Sequence, residues 1–188
     1  NDNTDLSIFS NQASLLTNDN LSNSINCSKH DFIYISNGPK HKNHKTLLKA
    51  WVVLANQKIF PKLTLTLPID NKEEIDNINN LIETYHIRVE NLGYIDLSEV
   101  LKLYLSAKAL IFPSLIESYG LPLVEARLVG LPILAPELVY VREVCNPVET
   151  FDPTSEISIA MAVKRFLDIS NENFKDYHVN DFIDYISK

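Results

Sequence analysis

The chain has 188 residues, 45% of them hydrophobic and 22% charged, with nine prolines, two cysteines, four glycines and a net charge of −7. Average usage would supply roughly a dozen glycines at this length, so collagen-like and low-complexity chains are excluded, and two cysteines are too few for a disulfide framework or a zinc ribbon. The acidic balance argues against a general nucleic-acid binder, which needs a basic face, and no apolar run approaches the ~20 residues that cross a bilayer.

Residues 1–30 stand apart. Asn and Ser fill 13 of them, Lys29 is their only Lys or Arg, and no apolar periodicity is sustained, so they read as a linker or extended N-terminal arm. With two cysteines the default setting is a reducing compartment, and the polar start does not resemble a signal peptide. Residues 31–188 read as one domain. Phe32–Ile35 is a short apolar run stopped by Asn37-Gly38-Pro39, which suits a buried strand and its turn. Leu47, Leu48, Trp51, Val52 and Leu54 then recur at helical spacing over about 14 residues, with Trp51 on the core face. Lys62–Leu67 is a strand ended by Pro68, and Asp70–His86 a helix with an acidic first turn. Val89–Ile95 is a third strand interrupted by Gly93, and the helix through Leu97–Leu105 has Asp96 or Ser98 as its cap.

Ala109–Phe112 is the fourth strand, and Leu121–Val129 a helix opened by Pro122 and closed by Gly130. Leu131–Ala135 is a fifth strand, Phe151-Asp152 a short sixth, Glu156–Ile169 an amphipathic helix, and Phe174–Ile186 a last helix. Strands alternating with helices of this length specify an α/β fold, a doubly wound parallel sheet of Rossmann type with right-handed crossovers. In such sheets the ligand lies outside the carboxyl ends of the strands. Three of the loops there carry candidate chemistry.

The most informative runs Pro113-Ser114-Leu115-Ile116-Glu117-Ser118-Tyr119-Gly120-Leu121-Pro122-Leu123-Val124-Glu125-Ala126. Gly120 permits a tight path into the helix, Pro122 suits its start, and the amides near Gly120 and Leu121 form an anion site. Glu117 and Glu125 bracket that site, at a spacing that allows one at a sugar and the other at a ribose diol. Spacing alone leaves a plainer reading open, with Glu117 solvated and Glu125 an ordinary first-turn acid. A second loop, Ser36–Lys45, holds Gly38 and the run Lys40-His41-Lys42-Asn43-His44-Lys45, an unusual density of positive charge in an acidic chain. It either faces an anion or is simply solvated. The third is Gly93-Tyr94, where Tyr94 reads as a core or rim aromatic or as a stacking platform. His30, His86 and His178 lack partners at metal-ligand spacing, Cys145 reads as buried, and Arg142-Glu143 as a surface pair.

The Glu117–Glu125 segment, with Gly130-Leu131-Pro132 after it, resembles the E-x7-E motif of the retaining family 4 glycosyltransferases, the "glycosyl transferases group 1" class with the GT-B fold. The resemblance covers roughly residues 31–170, the C-terminal, donor-binding half of that fold. It implies that the chain binds a nucleotide-diphospho-sugar. Glu125 would take the ribose hydroxyls, Glu117 would lie at the transferred sugar, and the Gly120-Leu121 backbone would receive the diphosphate, flanked by Ser118 and Tyr119. Lys42 matches the family lysine that pairs with the diphosphate, and the Gly93-Tyr94 region lies near the base. The family's usual Arg before that lysine is missing here, where Ser36 and Asn37 stand, and Lys40 is a candidate replacement. No cofactor or metal is implied. The resemblance further implies an acceptor glycan or lipid-linked sugar chosen by an N-terminal domain that residues 1–30 cannot supply, little transfer by this chain alone, and a cytoplasmic setting, with the inner membrane face reached through that domain. A non-catalytic nucleotide-sugar-binding or scaffolding module is the rival. A nicotinamide-binding domain fares worse, because no G-x-G-x-x-G follows the first strand.

Overall fold

A computed structural model describes residues 30–68 and 70–169. The arm, the helix expected at Phe174–Ile186, Cys27 and His178 lie outside the described residues. Six strands are present: β1 (His30–Tyr34), β2 (Leu63–Leu65), β3 (Val89–Asn91), β4 (Ala107–Ile111), β5 (Ile133–Pro136) and β6 (Glu149–Phe151). They form one all-parallel sheet in the order β3-β2-β1-β4-β5-β6. The central strands are mostly apolar toward their carboxyl ends because both faces are covered there: Phe32, Ile33, Tyr34, Leu63, Leu65, Leu110 and Ile111 are fully buried.

The helices are α1 (His44–Asn56), α2 (Lys72–Tyr85), α3 (Leu97–Ser106), α4 (Leu121–Leu128), α5 (Val139–Val144) and α6 (Glu156–Ile169). Helix α1 packs on α2 and α6, and α4 packs on α5, while α3 lies against β1 and β4. Trp51 sits in the core as its spacing predicts; its edge meets Phe32 at 5.6 Å between ring centroids, and its indole N–H donates to the Pro61 carbonyl at 2.9 Å. Asp96, not Ser98, caps α3 by accepting from the Glu99 amide at 2.9 Å.

Element boundaries shift by one to four residues from the sequence reading. The third strand stops at Asn91, before Gly93, because the Asn91 side chain turns back to bond both the amide and the carbonyl of Leu67 at 2.9 Å. Leu121 opens α4 and Pro122 takes its second position, which is equally free of any need for an N–H. Two elements are additions: a one-turn 3-10 helix over Lys40–Lys42, and α5, whose Val-Tyr-Val core carries no helical period. Arg142 pairs with Glu137 through both carboxylate oxygens, rather than with its neighbour Glu143.

The strand order reverses between β1 and β4, the switch point beyond whose carboxyl ends sheets of this kind have a crevice for their ligands. The loops after β1 and β4 are the two that carry Lys42 and Glu117. Gly38, in the first of them, has φ +92°, and a Cβ there would stand 2.6 Å from Leu67 Cδ1 and 2.8 Å from Asn71 Nδ2. Its own neighbours fill the space a side chain would need. Both are flexible side-chain ends that can yield, so the backbone conformation sets most of the cost. Gly38→Ala is expected to lower stability by about 1–2 kcal/mol. Urea denaturation measures it, and an unchanged midpoint would show that the loop adopts a negative φ at no cost.

Candidate functional site

Two loops far apart in sequence are stitched together at the switch point. The Tyr34 hydroxyl, at the end of β1, donates to the Lys42 carbonyl at 2.7 Å and lies 3.1 Å from Ser114 Oγ. The Leu115 amide donates to the His41 carbonyl at 2.9 Å, and Asn43 Nδ2 donates to the carbonyls of Pro113 and Pro153 at 3.1 and 2.7 Å. Asn43 adopts the left-handed conformation that turns the 3-10 helix into α1 (φ 61°), a position its short polar side chain tolerates. From the other side the Tyr140 hydroxyl donates to the Ser114 carbonyl at 2.6 Å. Burial pushes the Tyr34 and Tyr140 phenols well up, so both remain donors.

This bracing brings Lys42 and Glu117 together. Lys42 Nζ donates to both carboxylate oxygens of Glu117, at 2.7 and 2.9 Å, with the two side chains only 15% and 10% exposed. An ion pair this enclosed recovers little net stability once the desolvation of both charges is counted. It stands at the sheet's switch point, where folds of this kind take their ligands. The sequence places these residues on a phosphate and a sugar; the structure shows each as the other's partner.

Eight residues beyond Glu117, in the second turn of α4 rather than the first, Glu125 is half-buried and accepts a hydrogen bond from the Tyr104 hydroxyl at 2.9 Å. Between the two glutamates, Gly120 caps α4 in the left-handed conformation (φ 71°) and is buried, while Ser118 and Tyr119 are exposed. At the start of α4 the Leu123 and Val124 amides donate to the Gly120 carbonyl at 2.9 and 3.4 Å and Pro122 has no N–H, so the Gly120 and Leu121 amides are the ones that lie at the positive end of the helix dipole without a place in that turn. Lys40 is exposed on the rim, and Tyr94 is 86% exposed, a rim residue rather than a core one. Ser118 and Tyr119 also line a cleft of about 190 Å³ with Arg127, Tyr140 and Glu143, on the α4–α5 side. Cys145 is buried, as its surroundings suggested. Among the described residues no three His, Cys, Asp or Glu side chains come together as a metal site would require.

Sequence reasoning placed His44 in the basic loop without a role of its own, and missed Tyr104 and Tyr140. His44 opens α1, is 3% exposed, stacks at 4.9 Å and a 39° tilt on Tyr34, and leaves its Nε2 without a partner. Burial, with the Lys42 charge beside it, pulls its pKa down from 6.5 to about 4, so it is neutral near pH 7. Tyr104 lies on a helix with an ordinary apolar pattern and Tyr140 on one with no helical period, and no local signal marks either as a brace.

Known proteins resemble the chain in sequence and in shape. A family model described as glycosyl transferases group 1 matches residues 18–180, extending upstream of the domain start expected at residue 31. The O-antigen chain mannosyltransferase B of Escherichia coli is 29% identical over 114 residues, 60% of this chain and 30% of that protein. Anabaena HepE, solved in complex with UDP and glucose, superposes with a TM-score of 0.63 at 18% identity, over 88% of this chain and 44% of its own. The C-terminal domain of a glycosyl transferase group 1 family protein, LpcC of Francisella tularensis, gives 0.64 at 18% identity, over 77% of this chain and 78% of that domain. At these identities the superpositions establish the fold, which is that of a GT-B C-terminal domain, and the chain spans less than half the length of the mannosyltransferase and of HepE. Sequence match, strand order and fold agree: this chain belongs to the glycosyl transferases group 1 family.

Proposed function

We propose that this chain is the donor-binding domain of a retaining glycosyltransferase that uses a nucleotide-diphospho-sugar. The observation that carries the reading is the enclosed Lys42–Glu117 pair at the switch point, beside the start of α4. In this reading the bond from the anomeric carbon to the phosphate breaks through an oxocarbenium-like transition state. Negative charge then gathers on the departing diphosphate. Lys42 and the α4 amides receive that charge, in a site where preorganised donors count most. They supply the positive charge, so the proposal calls for no metal. Glu117 faces the sugar and its developing positive charge, and Glu125 takes the ribose hydroxyls. The presence of UDP in HepE is in keeping with this donor class. The acceptor, a glycan or lipid-linked sugar, belongs to a second domain, and this half alone binds donor with little transfer.

Titration calorimetry with uridine, guanosine and adenosine diphosphate sugars tests the proposal. Binding of one of them, weakened in both Lys42→Ala and Glu125→Ala, is the expected outcome. Binding of none would leave a scaffolding module as the better reading, and efficient transfer by this chain alone would overturn the division of labour.

A further inference from the structure

We propose that Tyr104 is a positioning residue for the donor site: its hydroxyl fixes the carboxylate of Glu125 in the orientation that receives the ribose diol. The inference rests on the reading above, in which Glu125 meets the ribose. Tyr104 belongs to α3, the connection between β3 and β4, whereas Glu125 belongs to α4, which leaves β4. The two are 21 residues apart and meet only through the fold. Tyr104 is 1% exposed, and its hydroxyl reaches Glu125 Oε2 at 2.9 Å and the Pro122 carbonyl at 3.3 Å. One phenol therefore ties both the carboxylate and the first turn of α4 to a neighbouring helix.

The chemistry of the pair is directional. Burial and the adjacent carboxylate charge push the Tyr104 phenol far up, so it stays protonated and can only donate to Glu125. A glutamate carries three rotatable bonds, and a ligand that must immobilise them loses affinity to their entropy. A carboxylate already held through Oε2 spares a diol that loss. Tyrosine also suits the position because its ring fills the core between α3 and β4 while its polar tip reaches the site. A phenylalanine would pack as well and remove that hydrogen bond to Oε2.

The test compares the affinities of uridine, guanosine and adenosine diphosphates with those of their 2′,3′-dideoxy analogues, in the parent, Tyr104→Phe, Glu125→Gln and the double variant. The ratio of ribo to dideoxy affinity isolates the sugar hydroxyls from base and phosphate contacts. Tyr104→Phe is expected to cut that ratio about 2- to 10-fold while the dideoxy affinity stays as in the parent. The double variant should behave as Glu125→Gln alone, because the tyrosine acts only through the carboxylate. An unchanged ratio in Tyr104→Phe, or an equal loss for both ligands, would overturn the inference and leave the tyrosine a packing residue. A ratio that survives in Glu125→Gln would instead remove Glu125 from the ribose. That outcome takes the underlying reading down with the inference and is distinct from a failure of Tyr104 alone. Thermal melting of Tyr104→Phe, expected close to the parent, separates a site effect from a folding one.

Discussion

Lys42→Ala is expected to weaken nucleoside diphosphate binding by about 100-fold, while Glu117→Gln strengthens it several-fold. The opposite signs follow from the ion pair. A charged donor on a phosphate contributes roughly 1.5–3 kcal/mol. Removing the ammonium also strands the Glu117 carboxylate, 10% exposed, close to where the phosphates arrive. Repulsion then adds to the lost attraction. In Glu117→Gln the competition runs the other way. The protein's own carboxylate holds Lys42 through two bonds of 2.7 and 2.9 Å, and an incoming diphosphate must displace at least part of that contact. A neutral amide binds the ammonium less tightly and repels no phosphate. Calorimetry on both variants decides the matter. An unchanged or weaker affinity in Glu117→Gln would mean that Lys42 keeps its carboxylate while it binds the ligand. On the donor-site reading proposed above, sugar transfer by an enzyme that contains this domain falls in both variants, because that reading puts Glu117 at the sugar and Lys42 at the leaving group.

The second large effect is a loss of stability on acidification, and its source is His44. The buried imidazole has a pKa of about 4 in the folded chain, against 6.5 when exposed. Above pH 6.5 neither the folded nor the unfolded chain holds this proton, and stability is unaffected. Between 6.5 and about 4 the unfolded chain takes the proton and the folded chain does not, so stability falls as pH falls. At about 1.4 kcal/mol per pH unit, the loss across that window is about 3 kcal/mol. The groups that face His44 reinforce the direction: Lys42 repels a second positive charge, and the Tyr34 ring offers no acceptor. Asp31 does not enter this window. Burial opposes its ionisation, but hydrogen bonds from Lys108 and the Lys62 amide outweigh that and hold its carboxyl below 3.8, so its contribution is lost only in stronger acid. Urea denaturation at pH 7 and pH 4.5 measures the effect, and His44→Phe should abolish most of the difference. An equal acid loss in that variant would place the sensitive group elsewhere.

The imidazole and the ion pair share one cause. The Lys40–Lys45 run is basic and reads as a solvated loop unless a ligand is invoked. Folding sorts it by residue: Lys40 and His41 stay in water, while Lys42 turns in to Glu117 and His44 turns in to Tyr34. A short 3-10 turn and the left-handed Asn43 perform that sorting, and neither has a hydrophobic period to betray it. Helix α5 escaped the sequence for a similar reason. Its six residues show no helical repeat, and its Tyr140 braces the Ser114 carbonyl through the fold alone.

The four glycines divide along the same line. Their scarcity and their places in loops can be read directly from the chain, and all four adopt positive φ. Gly120 caps α4 at φ +71°, a left-handed conformation that other residues rarely adopt, with Leu123 Cδ1 3.2 Å from where a Cβ would stand. Gly38 is required mainly by its φ of +92°, and the closeness of Leu67 and Asn71, two neighbours from the next crossover, is visible only in three dimensions.

The amino-acid sequence by itself determined the fold class and marked the Glu117–Glu125 loop-to-helix segment as a candidate site. Apolar strand runs, helical periods and turn residues are local signals, and alternation of strand and helix leaves a parallel doubly wound sheet as the arrangement that buries them. Tertiary structure alone decided who meets whom at the switch point: Lys42 with Glu117 across 75 residues, Tyr104 with Glu125 across 21, and Tyr140 with Ser114 across 26. Those pairings depend on which strand ends lie side by side and on burial that strengthens each charge. Both are set by the packing of the whole sheet rather than by any residue's immediate neighbours.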